Sequence, residues 1–295
     1  MSPVPSPSEY SFTRYLQAKK SIDDRCLNQD VWNAMAWAMR ELKPPRRILE
    51  LGAGIGTMLQ RMLERNVLAQ VHYSLLDRQE SLLALAQQRL SRWREVMGLW
   101  EIDFDTRPIS LDDLLAEADA ASWDMLVAHA FLDLVDIETA VPALLKLIRP
   151  GGLFYFSLNF DGQTILQPSI DPALDRLIID LYHRTMDERM IDGKPSGDSQ
   201  TGRHLFEIVR KDGASLLAAG SSDWVVHPRP VGYVEDEAYF LHYIIHTIGS
   251  ALEGHPDLDG ADFAGWLEKR HRQVEDQQLV YIAHQLDILG LVSAS

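Results

Sequence analysis

Three glycines at alternate positions, Gly52, Gly54 and Gly56, follow the apolar run Arg47 to Leu51 and precede a segment in which Met58, Leu59, Met62 and Leu63 recur at helical spacing. Glycines in a strand-to-helix turn let the backbone approach a ligand, because no side chain intervenes and positive φ costs little. A dinucleotide-binding loop has its third glycine one residue further on, where Thr57 stands here. Glu50 adds a carboxylate to the approach, which would repel a pyrophosphate and attract a cationic amine or sulfonium. A second acid, Asp77, closes the next apolar run, Gln70 to Leu76. The pattern is that of a loop made for a cofactor carrying positive charge.

The elements that must hold these residues alternate. Asp30 to Leu42 has helical spacing at Val31, Met35, Ala36 and Met39, and Pro44-Pro45 stops it before the first strand. Helices are predicted over Thr57 to Asn66 and Ser81 to Leu90, and strands over Gln70 to Leu76, within Trp100 to Ser110, over Trp123 to Ala128, and over Leu153 to Leu158 after Pro150-Gly151-Gly152. Strands separated by helices imply a parallel sheet with an α/β architecture. After Asn159 the alternation breaks. Asp171-Pro172 opens a helix through Leu174, Leu177, Ile178 and Leu181, and a turn-rich loop, Asp192 to Gly202, follows it. His204 to Lys211 reads as a helix, and two late strands, Ser222 to His227 and Leu279 to Leu286, bracket a helix from Asp236 to Leu252. The expected organisation is a tail and helical cap over residues 1–29 and one domain over 30–295, with insertions at about 160–203 and 228–275.

An acidic residue followed by x-G-x-G-x-G resembles the first motif of the class I S-adenosylmethionine-dependent methyltransferases. The resemblance covers Asp30 to Asn159 and, more weakly, His204 to Leu289. It implies a Rossmann-like, mostly parallel seven-stranded sheet with helices on both faces, an antiparallel last strand and helical insertions over the active site. It also implies S-adenosylmethionine as cofactor, with Gly52, Ala53, Gly54 and Gly56 lining its methionine and ribose portion and Glu50 beneath. Asp77 matches the acid that accepts from both ribose hydroxyls. Of Asp103, Asp105, Asp112 and Asp113, Asp112 is the candidate beside the adenine, where Leu111 and Leu114 would flank the ring. Arg25, with Lys19 and Lys20, is a candidate partner for the methionine carboxylate, the alternative for each being a solvated charged helix face.

Ligands of open α/β sheets lie beyond the carboxyl ends of the strands, which places His129, after the fourth strand, at the reaction zone. Methyl transfer is a direct displacement, so the protein aligns the acceptor and, for a protonated oxygen or nitrogen, removes a proton. An imidazole with a pKa near about 6.5 suits that task, and packing beside the cofactor is the alternative role. On the Asp236 to Leu252 helix, Tyr239, His242, Tyr243 and His246 share one face and would enclose a small acceptor, or else form an ordinary buried face. Tyr182 and Arg203, around the turn-rich loop, are further acceptor-side candidates in a lid. His242 and His246 lack the glutamate and third ligand of a zinc site, so no metal is expected.

Composition narrows the partners. A net charge of −15 disfavours nucleic acid, and a hydrophobic fraction of 46% with no long apolar run gives no membrane span. Met1 to Ser11 is rich in Ser and Pro without the basic and apolar stretches of a secretory signal, and reads as a loose tail. The single cysteine, Cys26, fits a reducing cytoplasm. The expected protein is a cytoplasmic monomer or homodimer that methylates oxygen, nitrogen or carbon of a small molecule. The alternatives are a protein or RNA methyltransferase and a non-catalytic S-adenosylmethionine-binding protein.

Overall fold

The computed structural model describes residues 10–98 and 101–293. The expected tail lies outside these residues apart from Tyr10 and Ser11, as does Trp100 at the start of the third strand's window. In chain order, α1 (Phe12–Ala18), α2 (Lys20–Cys26) and α3 (Gln29–Glu41) precede β1 (Arg46–Leu51), α4 (Thr57–Glu64), β2 (Val71–Asp77), α5 (Glu80–Met97) and β3 (Ile102–Pro108). There follow α6 (Leu111–Glu117), β4 (Trp123–His129), a single 3-10 turn at Leu132–Leu134, α7 (Ile137–Leu145) and β5 (Ile148–Gln167). Then come α8 (Pro172–Asp187), the two-residue strands β6 (Met190–Ile191) and β7 (Lys194–Pro195), α9 (Thr201–Lys211), β8 (Ala214–Ser221) and β9 (Trp224–Val226). The chain closes with α10 (Glu237–Ala251), α11 (Gly260–Glu275) and β10 (Val280–Val292).

Eight strands form the main sheet in the order β3-β2-β1-β4-β5-β10-β8, with β9 paired to β10. β1 runs parallel to β2 and β4, β2 to β3, and β4 to β5, whereas β10 is antiparallel to β8 and β9. The expected Rossmann-like sheet with an antiparallel last strand is therefore present, with eight strands rather than seven. The extra strand arises where one was expected over Ser222 to His227. The chain instead forms β8 before Ser222 and only the short β9 after it. β8 reads Ala-Ser-Leu-Leu-Ala-Ala-Gly-Ser, whose small residues carry little strand propensity. α11 was likewise unforeseen, and the loop expected over Asp192 to Gly202 carries β7, which pairs with β6 just before it, and ends in the first turn of α9.

The chain divides into two compact units. The sheet unit comprises residues 27–161, 200–222 and 285–295, of which 99–100 and 294–295 are not described. Side chains alternate across a sheet, and one face of this one carries Leu49, Leu51, Leu126, Ala128, Phe154, Phe156 and Ile288 into a core with α7 and α9. The other face carries the remaining parity, including Glu50, Tyr73, Val127, His129, Tyr155 and Ser157.

The helical unit comprises residues 10–26 together with 162–199 and 223–284. Inside it, Asp171 caps α8 by accepting from the Ala173 and Leu174 amides. One turn on, the Asp175 carboxylate accepts from Ser169 Oγ at 2.6 Å, Trp266 Nε1 at 2.6 Å and the Arg270 guanidinium at 2.5 Å, tying α8 to α11. The Arg270 side chain has no exposed surface. Asp175→Ala leaves that charge buried without its counter-ion and is expected to cost about 3–5 kcal/mol in urea denaturation, most of which Asp175→Ala with Arg270→Met recovers.

Candidate active site

The glycine loop leaves β1 with Gly52 at φ +61°, Gly54 at +53° and Gly56 at +74°, all left-handed. At Gly52 the constraint is also steric, since a Cβ there would lie 2.3 Å from Cδ2 of Phe131. The Ala53 amide donates to the Leu76 carbonyl at 2.9 Å, which ties the loop to the end of β2. Asp77, one residue on, accepts from the Gly54 amide at 3.0 Å with one oxygen and from the Gln79 amide at 2.9 Å with the other. The loop and the acid expected to bind the same ligand thus touch each other.

Beneath the loop the sheet carries a buried polar column. Glu50 is 2% exposed and accepts from the Tyr73 hydroxyl at 2.8 Å. Burial pushes its carboxyl up to about 8, against the pull of the Tyr73 hydrogen bond and the charge of Arg61. Glu50 is therefore mostly protonated at neutral pH and is turned toward Tyr73. Arg61 comes from α4 and is fully buried. Its guanidinium stands 3.5 Å from Nε2 of His129, whose Nδ1 pairs with Ser157 Oγ at 2.9 Å. The register aligns His129 with Ser157 across β4 and β5 and so brings both side chains to one face. With both ring nitrogens engaged, the imidazole is held in place at the end of β4.

Other expected cofactor contacts are placed differently. Asp112 lies in the first turn of α6, which Ser110 caps by accepting from the Asp113 amide. Leu114, expected to flank an adenine, is 1% exposed and belongs to the core, with Leu111 packed against it. Asp103 and Asp105 face His72, each at 3.0 Å. Arg25 is held inside the helical unit by the Glu237 carboxylate and by the carbonyls of Ser21 and Val225, so its expected cofactor role finds no support in its placement. Lys19 pairs with the buried Asp23 at 3.2 Å and Lys20 with Asp24 at 2.6 Å.

The acceptor-side candidates divide between the units. In the sheet unit, Arg203 donates to the Asp161 carboxylate and carbonyl at 2.9–3.1 Å. In the helical unit, Tyr239, His242, Tyr243 and His246 do share one side of α10, and residues of the same unit cover much of it. Tyr239 bonds the backbone of Ser11 at 2.7 and 3.2 Å. Tyr10 stacks on His246 with centroids 4.1 Å apart, and Tyr15 stacks on Tyr243 at 4.4 Å. His242 and His271 approach through their Nδ1 atoms at 2.9 Å, and burial lowers both to about 4, so one neutral ring donates to the other. His246 and His271 also line a groove of about 370 Å³ beside α10 and α11. Tyr182, Tyr243 and His246 remain half-buried. No group of three or more His, Cys, Asp or Glu suited to a metal occurs among the described residues. No helix among them is long and apolar enough to cross a membrane.

The family model of a methyltransferase domain matches residues 49–154, a span that contains the glycine loop, Asp77 and His129. Residues 49–154 form a methyltransferase domain. The assignment expected from the glycine register is borne out for this span. No sequence among the curated proteins matches the chain. Among solved structures, the chain is similar to an S-adenosylmethionine-dependent methyltransferase from Methanosarcina mazei at 11% identity, covering 87% of this chain and 96% of that one with a TM-score of 0.48. A cyclopropane synthase from Mycobacterium tuberculosis matches at 11% identity over 95% of this chain and 98% of its own, with a TM-score of 0.47. A phosphoethanolamine N-methyltransferase from Haemonchus contortus matches at 12% identity over 99% of this chain and 62% of its own, with a TM-score of 0.48.

Within the sheet unit, Arg61, Tyr73 and Ser157 had no place in the sequence-based expectations. Arg61 left a signal, a charge set within the apolar stripe of Met58, Leu59 and Met62. The raised carboxyl of Glu50 favours folding below its unfolded pKa of about 4.5, and that contribution is lost as pH rises through about 8. Denaturation midpoints of the wild type should therefore fall relative to Glu50→Gln between about pH 5 and about pH 9. Parallel curves would remove the buried protonated carboxyl from this account.

Proposed function

We propose that the chain transfers the methyl group of S-adenosylmethionine to a small-molecule acceptor by direct displacement at oxygen, nitrogen or carbon. The observation that carries this reading is the left-handed loop of Gly52, Gly54 and Gly56 set between Glu50 and Asp77 in a methyltransferase domain. Such a loop admits the methionine and ribose portion against bare backbone, with Ala53 among its lining residues. Asp77 keeps acceptor capacity for ribose hydroxyls, because each carboxylate oxygen has a second lone pair. Glu50 supplies a negative charge beneath a cationic ligand once it gives up its proton. His129 shapes the floor at the end of β4. Within the helical unit, the half-buried Tyr182, Tyr243 and His246 offer aromatic and polar groups suited to a small molecule.

Calorimetry with S-adenosylhomocysteine and S-adenosylmethionine tests the cofactor. Both should bind the wild type, and Gly54→Val should abolish binding because a branched side chain at φ +53° distorts the loop. Affinity for the cationic methyl donor should rise with pH through about 8 as Glu50 ionises, and Glu50→Gln should flatten the rise. Failure of either ligand to bind the wild type would end the assignment.

Radiolabelled methyl transfer to a panel of amines, phenols and carboxylates identifies the acceptor class. With an acceptor in hand, His129→Ala is expected to lower kcat by about tenfold or more while leaving cofactor affinity near the wild-type value. Unchanged turnover would reduce His129 to packing.

A further inference from the structure

Asp287 is a fully buried carboxylate on β10, in a strand whose neighbours Leu286, Ile288 and Leu289 are apolar. A charge there is costly to bury, and an apolar residue would pack at lower cost. Its bonds indicate what it does. Oδ1 accepts from the Leu158 amide and Oδ2 from the Asn28 amide, each at 2.8 Å. Leu158 has φ +53°, a left-handed conformation that a leucine rarely adopts without restraint. The residue before it is Ser157, which pairs with His129 Nδ1 and whose carbonyl accepts from the Ala130 amide at 2.9 Å. Ala130, just after His129, is also left-handed at φ +49°. β4 at its end and β5 at its middle thus each bend immediately past the His129–Ser157 pair. A second tie lies alongside, where Asn159 Nδ2 donates to the Leu286 carbonyl at 2.8 Å.

We propose that Asp287 is a positioning residue for His129: its carboxylate holds the left-handed turn at Leu158, and that turn sets Ser157 against the imidazole. The inference rests on the reading of His129 as part of the methyl-transfer zone. The ionisable groups facing Asp287 are Arg61 from α4, which also approaches His129 Nε2, and Tyr155 from β5. Asn28, at the start of α3, contributes a neutral amide. Burial raises the Asp287 carboxyl to about 6 against the pull of the Ser222 hydroxyl, the two amides and Arg61. Above that pH both oxygens accept. Below it a proton occupies one of them and the restraint on Leu158 weakens.

Nuclear magnetic resonance on nitrogen-labelled protein tests this without a known acceptor. The His129 imidazole signals are assigned by their loss in His129→Gln. As the pH of the wild type is lowered from about 8 to about 5, the Leu158 and Asn28 amide protons should move upfield together, with a midpoint near about 6. The His129 Nδ1 signal should show a step at the same midpoint. Asp287→Asn should displace that signal at every pH and remove the step. Asp287→Asn with Leu158→Gly should return it toward the wild-type position, since glycine keeps positive φ without restraint. Should Asp287→Asn fail to fold, Leu158→Gly alone still decides, because it should uncouple the His129 signal from the titration of the Asn28 amide. A titrating Leu158 amide beside an unmoved His129 signal would overturn the proposal, as would a wild-type His129 signal in folded Asp287→Asn. Loss of S-adenosylhomocysteine binding by the wild type would instead strike the methyl-transfer reading and leave these resonances as they are.

Discussion

A guanidinium with no exposed surface sits near the glycine loop, and the surrounding polar residues are arranged about it. Arg61 projects from α4 onto one face of the sheet, where Glu50, Tyr73, His129, Tyr155 and Asp287 all feel its charge or touch it. Desolvating such an ion is expensive unless the surrounding groups compensate. The compensation has a definite pattern at neutral pH, in which Asp287 is ionised while Glu50 retains its proton. One buried cation thus stands with one buried anion and a carboxyl held in reserve. The alternation of side chains along β1, β4 and β5 brings these groups to one face, while the opposite parity packs an apolar core against α7 and α9.

What could be read from the sequence was what repeats locally. Strand-loop-helix periodicity located β1, β2, β4 and α4 closely, β3 within its window and the start of α5, because each buries one apolar face whose spacing is visible in a short window, while α6 and α7 were not delimited. The register of Gly52, Gly54 and Gly56 was visible for the same reason, since three positive φ values require three residues that tolerate them. β8 was not visible. Its alanines, glycine and serines lack strand character, and only pairing with β10, about seventy residues later in the chain, makes it a strand.

Partners supplied by distant segments were the larger loss. Arg25 and Lys19 looked available for an anionic ligand, and the structure commits them to Glu237 and Asp23. The polar aromatic face of α10 was read correctly as a face. Its neighbours, Tyr10 and Tyr15 from the start of the chain and His271 from α11, lie far away in sequence or on a helix whose signal was missed. Asp112 was favoured through Leu114, whose burial in the core gives that leucine another purpose. Local spacing reports which side chains share a side, and it is silent on what meets that side.

The bond between Asp77 and the glycine loop makes the two a single mechanical part. Because the carboxylate grips the amides of Gly54 and Gln79, the cradle is already shaped when a ligand arrives, and little chain entropy remains to be lost on docking. The same economy removes a degree of freedom from evolution. Position 77 cannot change without also reshaping the backbone of the glycine loop, so the two must drift together or not at all.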